Sequence, residues 1–202
     1  MRNLRLATVL VFALCAFAAS AQPGAIRALQ PLVGVWIGKA QFASKRPELA
    51  DPIDCMMRVT AVLKGHYFHC EQTLLIPNQP SDTLMLLTFS PTAGLFEAWS
   101  YNENSPGARL LTGTLEPVVV DKGKTRPFDP TVDKPDPVTH ELPPMEQHLT
   151  LTSLPEYANG ETIAYREYYN FTDRDHITMT YSIRRQDVWQ EVYVANYARK
   201  KQ

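Results

Sequence analysis

An all-β fold is predicted: about ten short strands in one antiparallel sheet, curling into a closed or nearly closed up-and-down barrel behind a short N-terminal helix. Three observations predict it. Apolar and polar residues alternate with period two through most of the chain beyond Val33, the pattern of half-buried strands. Turn-forming residues separate the alternating segments, as at Lys64-Gly65, Asn159-Gly160 and across 102–107. The joints are short, which favours neighbours that pair in chain order. A meander of that kind must close, or split into two layers, to bury its edges.

The first 21 residues fall outside this pattern. Arg2 and Arg5 precede an almost wholly apolar run at 6–18, and Ala19-Ser20-Ala21 follows with small residues. That order is the mark of a secretory signal peptide. The run is shorter than the roughly 20 residues that span a bilayer. Cleavage is expected after Ala21, leaving one domain at 22–202 in the periplasm or outside the cell, with no membrane span in the mature chain. Loss of the two arginines takes the formal net charge from −1 to −3. A mildly acidic chain without a Lys/Arg block lacks the electrostatic footprint of a nucleic-acid binder.

Residues 25–32 are expected to form the helix. Strands are expected at 34–42, 53–63, 67–76, 83–89, 95–101 and 109–115. In the second, Ile53, Cys55, Met57, Val59, Ala61 and Leu63 share one face, with Asp54, Arg58 and Thr60 on the other. The pattern breaks at 116–144, which holds seven of the sixteen prolines. Proline lacks the N–H that a ladder needs, so this stretch is expected to be a long loop and not a strand pair. Such loops are often functional; a lid over the barrel mouth and a surface excursion are both open. Strands resume at 145–153, 162–171, 176–184 and 188–197.

Cys55 and Cys70 are the cysteines left after cleavage. Export favours a disulfide, but a tight turn at Lys64-Gly65 sets Cys55 opposite Leu74 and Cys70 opposite Val59. That register parts the two by about 13 Å at about 3.3 Å per residue, and a bridge needs Cα atoms within about 7 Å. A shifted register brings them together, so both states stay open.

Leu32-Val33-Gly34-Val35-Trp36-Ile37-Gly38 resembles the Gly-x-Trp opening of lipocalins and their calycin relatives. Gly65-His66-Tyr67-Phe68 with Glu71, the glycine-containing hairpin across 88–99, and Trp189-Gln190-Glu191 with Tyr197-Ala198-Arg199 follow in order. Together they resemble a bacterial lipocalin-like family to which no activity is attached. Residues 116–144 have no counterpart in it. The resemblance implies a barrel of about ten strands, and Arg199 lying over Trp36 in a structural cation–π contact. Independently, Gly34 permits close approach and Trp36 is large enough to plug a barrel end.

No Gly-x-Ser-x-Gly elbow, phosphate loop, His-Glu-x-x-His or Cys-x-x-Cys is present, and no cofactor or metal is assigned. His66 and His69, three apart on a strand, point to opposite faces. His69 and Glu71, two apart, share a face and form the best acid–base or ligating pair. His148 and His176 are the histidines open to a haem. The aromatic supply is more suggestive. Leu95, Glu97, Trp99 and Tyr101 share one face, and Ile163, Tyr165, Glu167, Tyr169 and Phe171 another; Tyr181 lies on the alternating strand at 176–184. A carboxylate among aromatics is either a polar anchor in a pocket or an exposed acid on an outer wall. The candidate binding residues are therefore Trp99, Tyr101, Tyr165, Glu167, Tyr169 and Tyr181, with His69 and Glu71. The expected role is binding of a small apolar or amphipathic molecule. The alternatives are an envelope interaction module working through residues 116–144, and a haem- or His/Glu-dependent enzyme.

Overall fold

The computed structural model of the chain describes residues 24–44, 46–104, 107–121, 124–135, 145–158 and 160–201. The expected signal peptide and residues 136–144 of the proline-rich stretch lie outside them. A one-turn helix, α1 (Gly24–Arg27), and a 3-10 turn at Gln30–Leu32 lead into the sheet. The strands are β1 (Gly34–Phe42), β2 (Ile53–Val62), β3 (Tyr67–Leu74), β4 (Ser81–Ser90), β5 (Leu95–Asn102), β6 (Ala108–Asp121), β7 (Lys124–Pro127), β8 (Met145–Ser153), β9 (Glu156–Ala158), β10 (Glu161–Phe171), β11 (His176–Arg185) and β12 (Val188–Arg199). All pairings are antiparallel. Ten strands run β11-β12-β1-β2-β3-β4-β5-β6-β8-β10, and β10 pairs back onto β11. The expected barrel is therefore closed, with β7 and β9 as short additions on β6 and β10.

Alternation decides which side chains enter. β2 buries Ile53, Cys55, Met57 and Val59 and exposes Asp54, Met56, Arg58 and Thr60, as its sequence predicts, but Ala61 and Leu63, expected on the buried face, are exposed because the strand gives way to the turn at Leu63–Gly65. The β2–β3 register sets Cys55 opposite Leu74 and Val59 opposite Cys70. Both thiols are buried and free. β6 and β8 approach so closely that a Cβ on Gly113 would stand 1.6 Å from the Thr150 carbonyl oxygen. Glycine is what permits that approach.

One half of the barrel is packed solid. Trp36, Met57, Phe68, Leu87, Leu149 and Ile177 are fully buried in it, and Ile26, Leu29 and Leu32 from the N-terminal segment join the same cluster. Each such side chain contributes about 1.5–3 kcal/mol by leaving water. Trp36 donates from Nε1 to the Leu32 carbonyl at 2.8 Å. Arg199 lies over its ring, 4.1 Å from the centroid, as the resemblance implies. Its Nη1 donates to Val33 O at 2.7 Å, its Nη2 to Pro31 O and its Nε to Arg174 O at 3.0 Å. A Cβ on Gly34, whose φ is +149°, would meet Arg199 Nη1 at 2.6 Å. The first and last strands are thus clamped at this closed end.

The expectation of a featureless loop over 116–144 is overturned in its first third. β6 continues through Asp121, and β7 returns beside it with Val118 opposite Pro127 and Asp121 opposite Lys124. Val118 and Val119 are buried. Pro117 sits where β6 changes partner from β5 to β7, after Gly113 and before Val118, and Pro127 ends an edge strand. Neither position asks its nitrogen for a ladder bond. Beyond β7, the buried carboxylate of Asp133 accepts both Arg126 Nη groups and the Asp129 N–H. The excursion leaves β6 and re-enters β8 at the closed end. Its described part is consequently not a lid over the opposite, hollow end.

Candidate functional site

The hollow end holds a cavity of about 420 Å³. It is bounded by the ends of β1, β3, β5 and β11 and the starting halves of β4, β6, β10 and β12. The alternation that fills the closed end with leucines supplies different residues here. Phe42, Tyr165, Tyr181 and Tyr193 make an aromatic wall. Tyr165 and Tyr181 stack at 6.3 Å between centroids and 21° between planes; Tyr181 and Tyr193 stack at 5.5 Å and 27°. Phe42 extends the row, 5.2 Å from Tyr193. Gln72, Thr83, Ser100, Asn102, Arg109 and Glu167 give the lining its polar part.

A belt of hydrogen bonds forms the floor where the cavity meets the solid half. Gln72 donates from Nε2 to the Tyr197 hydroxyl at 2.7 Å, and the Tyr193 hydroxyl donates to Gln72 Oε1 at 3.4 Å. The Tyr169 hydroxyl donates to Glu167 Oε2 at 2.7 Å. Nearer the mouth, Asn102 Nδ2 donates to Thr83 Oγ1 at 2.8 Å. Polar groups at such depth are retained only with partners, and this belt pairs them.

Glu167 is only 7% exposed. Burial pushes its carboxyl above the usual glutamate range, with the Tyr169 hydroxyl and the Arg109 charge pulling the other way. Burial likewise raises the phenols of Tyr169, Tyr181, Tyr193 and Tyr197, so all four are hydrogen-bond donors at neutral pH. Arg109 stands opposite Ser100 at the start of β6. Its guanidinium lies over Tyr165, 3.5 Å from the ring centroid, and reaches Glu156 at 3.4 Å.

The eight residues singled out from sequence divide into two groups. Tyr165, Glu167, Tyr169 and Tyr181 point inward; Tyr165, Glu167 and Tyr181 line the cavity and Tyr169 braces Glu167 from beneath. Trp99 and Tyr101 do not share that interior, being 44% and 43% exposed. β5 turns Phe96, Ala98 and Ser100 inward instead. The Glu97 face is thus an outer wall and the Glu167 face an inner one. His69, Glu71 and Tyr101 line an outer groove of about 560 Å³ with Met56, Arg58 and Leu84. His69 Nδ1 stands 4.0 Å from Glu71 Oε1. Among the described residues, no third His, Cys, Asp or Glu joins them as a metal-binding group.

The histidines open to a haem lie outside the cavity. His148 faces outward on β8, its Nδ1 2.6 Å from the Tyr168 hydroxyl and its Nε2 3.2 Å from Glu146 Oε2. His176 is exposed, with Nδ1 2.8 Å from Asp173 Oδ2. Sequence reasoning missed Gln72, Arg109 and Tyr193. Gln72 shares its face with Phe68, Cys70 and Leu74, which is the signal for it. Arg109 sits two residues before buried Leu111, on the same face.

These features define the protein's class: a closed antiparallel barrel of ten strands, solid at one end and hollow at the other. Among solved structures, the chain is similar to Rv2717c from M. tuberculosis, with a TM-score of 0.57 and 17% identity over 87% of this chain and 97% of that one. At that identity the likeness is one of fold. No family model and no curated protein sequence matches the chain.

Proposed function

We propose that the protein is an exported, lipocalin-like carrier that binds one small amphipathic molecule in the hollow half of its barrel. One observation carries this reading. The interior of a closed barrel is left hollow at one end, at about 420 Å³, with aromatic rings and a buried carboxyl on the wall of β10, β11 and β12 and polar groups from β3, β4, β5 and β6 across from them. Small-molecule pockets run to about 300–1,000 Å³ and combine apolar walls with a few placed polar groups. A barrel of this size has room for one such guest. A side chain set that served stability alone would fill the space, as leucines and methionines do at the other end. In this reading the carrier works in the periplasm or outside the cell, after loss of residues 1–21.

Native mass spectrometry of the protein purified from its own host tests the proposal. The expected result is a non-covalent adduct that is lost on denaturation and is absent from a Ser100→Phe variant, in which the added ring fills the cavity. A folded protein that arrives empty and binds nothing from a lipid and metabolite extract refutes it.

A further inference from the structure

The polar groups of the cavity are unequal in what they offer a guest. Both ends of the Gln72 amide are committed to Tyr197 and Tyr193. The Asn102 Nδ2 serves Thr83 and Ser81, and its Oδ1 accepts the Asn104 N–H. Arg109 is less fully engaged. Its ion pair to Glu156 is long, at 3.4 Å, and the Glu156 side chain is 46% exposed. Its Nε is buried with no acceptor among the described residues. A buried N–H without an acceptor carries a desolvation penalty, which a turn of the side chain toward a guest oxygen relieves. Glu167 does not supply that oxygen: it is not within ion-pair distance of Arg109, and burial favours its protonated, donating form. A permanent cation with an unsatisfied N–H therefore lines the cavity. The rings of Tyr165, Tyr181 and Tyr193, stacked on one another, add an apolar wall of ring edges.

We infer that the cavity takes a carboxylate with an apolar body, its carboxylate held by the Arg109 guanidinium near the mouth and its body packed on the ring edges of Tyr165, Tyr181 and Tyr193. The inference rests on the carrier reading and narrows it to a ligand class. A guanidinium matches a carboxylate in a planar, two-bond fork that an ammonium cannot reproduce. Rotation of the Arg109 side chain brings that fork onto the guest. Glu156, half in water, gives up its share of the cation at little cost.

Calorimetric titration of the full chain with 2-naphthoate, 2-naphthylmethanol and 2-naphthylmethylamine at pH 7 tests this. The three probes share one ring and differ in charge. Naphthoate is expected to bind about tenfold or more tighter than the alcohol, the amine most weakly. Arg109→Gln is expected to erase the advantage of naphthoate over the alcohol. If the alcohol or the amine binds as tightly as naphthoate, the inference is wrong and the carrier reading stands. If no probe binds, the inference falls, and the binding experiment with the host extract decides the carrier reading separately. The ratio in the unsubstituted protein decides the matter even where the variant does not fold.

Discussion

Replacing Glu167 by Gln separates the two things this residue does, which are to occupy space beside Tyr169 and to carry a titratable proton. The amide still accepts from the Tyr169 hydroxyl, so packing changes little. Titration changes a great deal. In the unfolded chain the carboxyl has its ordinary value of 4.5, whereas burial holds it higher in the folded chain. Well below pH 4.5 both states hold the proton, and parent and variant differ only by packing. Above it the unfolded chain releases the proton while the folded chain keeps it. The folded state then binds more protons, so the parent loses stability relative to the variant as pH rises, until the pH passes the folded value. Each unit of upward displacement is worth about 1.4 kcal/mol, and each kcal/mol moves the melting temperature of a domain this size by about 2–4 °C. Thermal melts followed by circular dichroism in parallel from pH 4 to pH 9 measure the difference. The two melting temperatures should converge at the acid end and part above pH 5, with Glu167→Gln the higher. Parallel curves would refute the argument. So would a parent that gains on the variant as pH rises, since that requires an ionised, well-paired carboxylate in the folded state.

Two further predictions concern the barrel itself. Gly113→Ala places a methyl 1.6 Å from the Thr150 carbonyl oxygen, so the β6–β8 ladder must shift. The expected cost is about 1–3 kcal/mol or more, read as a lower melting temperature, and an unchanged one counts against the close approach. Cys55, its thiol pushed up to about 11 by burial, and Cys70, pushed higher still, should resist a thiol reagent at pH 8 in the native protein. Both should react once guanidinium unfolds the chain, and a mass gain on reduction, revealing a bridge, would overturn the β2–β3 register.

The strands were legible because alternation is a local signal with a single physical cause. Residues 34–42 and 145–153 match β1 and β8 at both ends, and the turn at Lys64-Gly65 set the β2–β3 register correctly. Which phase of an alternation faces inward is not local. Trp99 and Tyr101 look like core residues, yet β5 turns the small Ala98 and Ser100 beside them inward, Ala98 into the packed half and Ser100 onto the cavity. Glu97 and Glu167 sit in similar patterns and end on opposite sides of the wall, because burial depends on what the neighbouring strands present. The prolines misled for a related reason. Pro117 breaks a ladder only if the strand its nitrogen faces asks for an N–H, and the change of partner from β5 to β7 on that side relieves it of that demand. Arg109 escaped notice because a charged residue at the start of a strand usually belongs to solvent.

β1 starts and β12 finishes at the clamped end, where Arg199 grips the carbonyls of Pro31 and Val33. Whatever is joined before Gly34 or after Arg199 therefore departs on the side away from the cavity. A reporter fused there, or a tether to a surface, leaves the mouth unobstructed. Immobilised through either end, the molecule presents its hollow half outward, ready for screening of candidate guests.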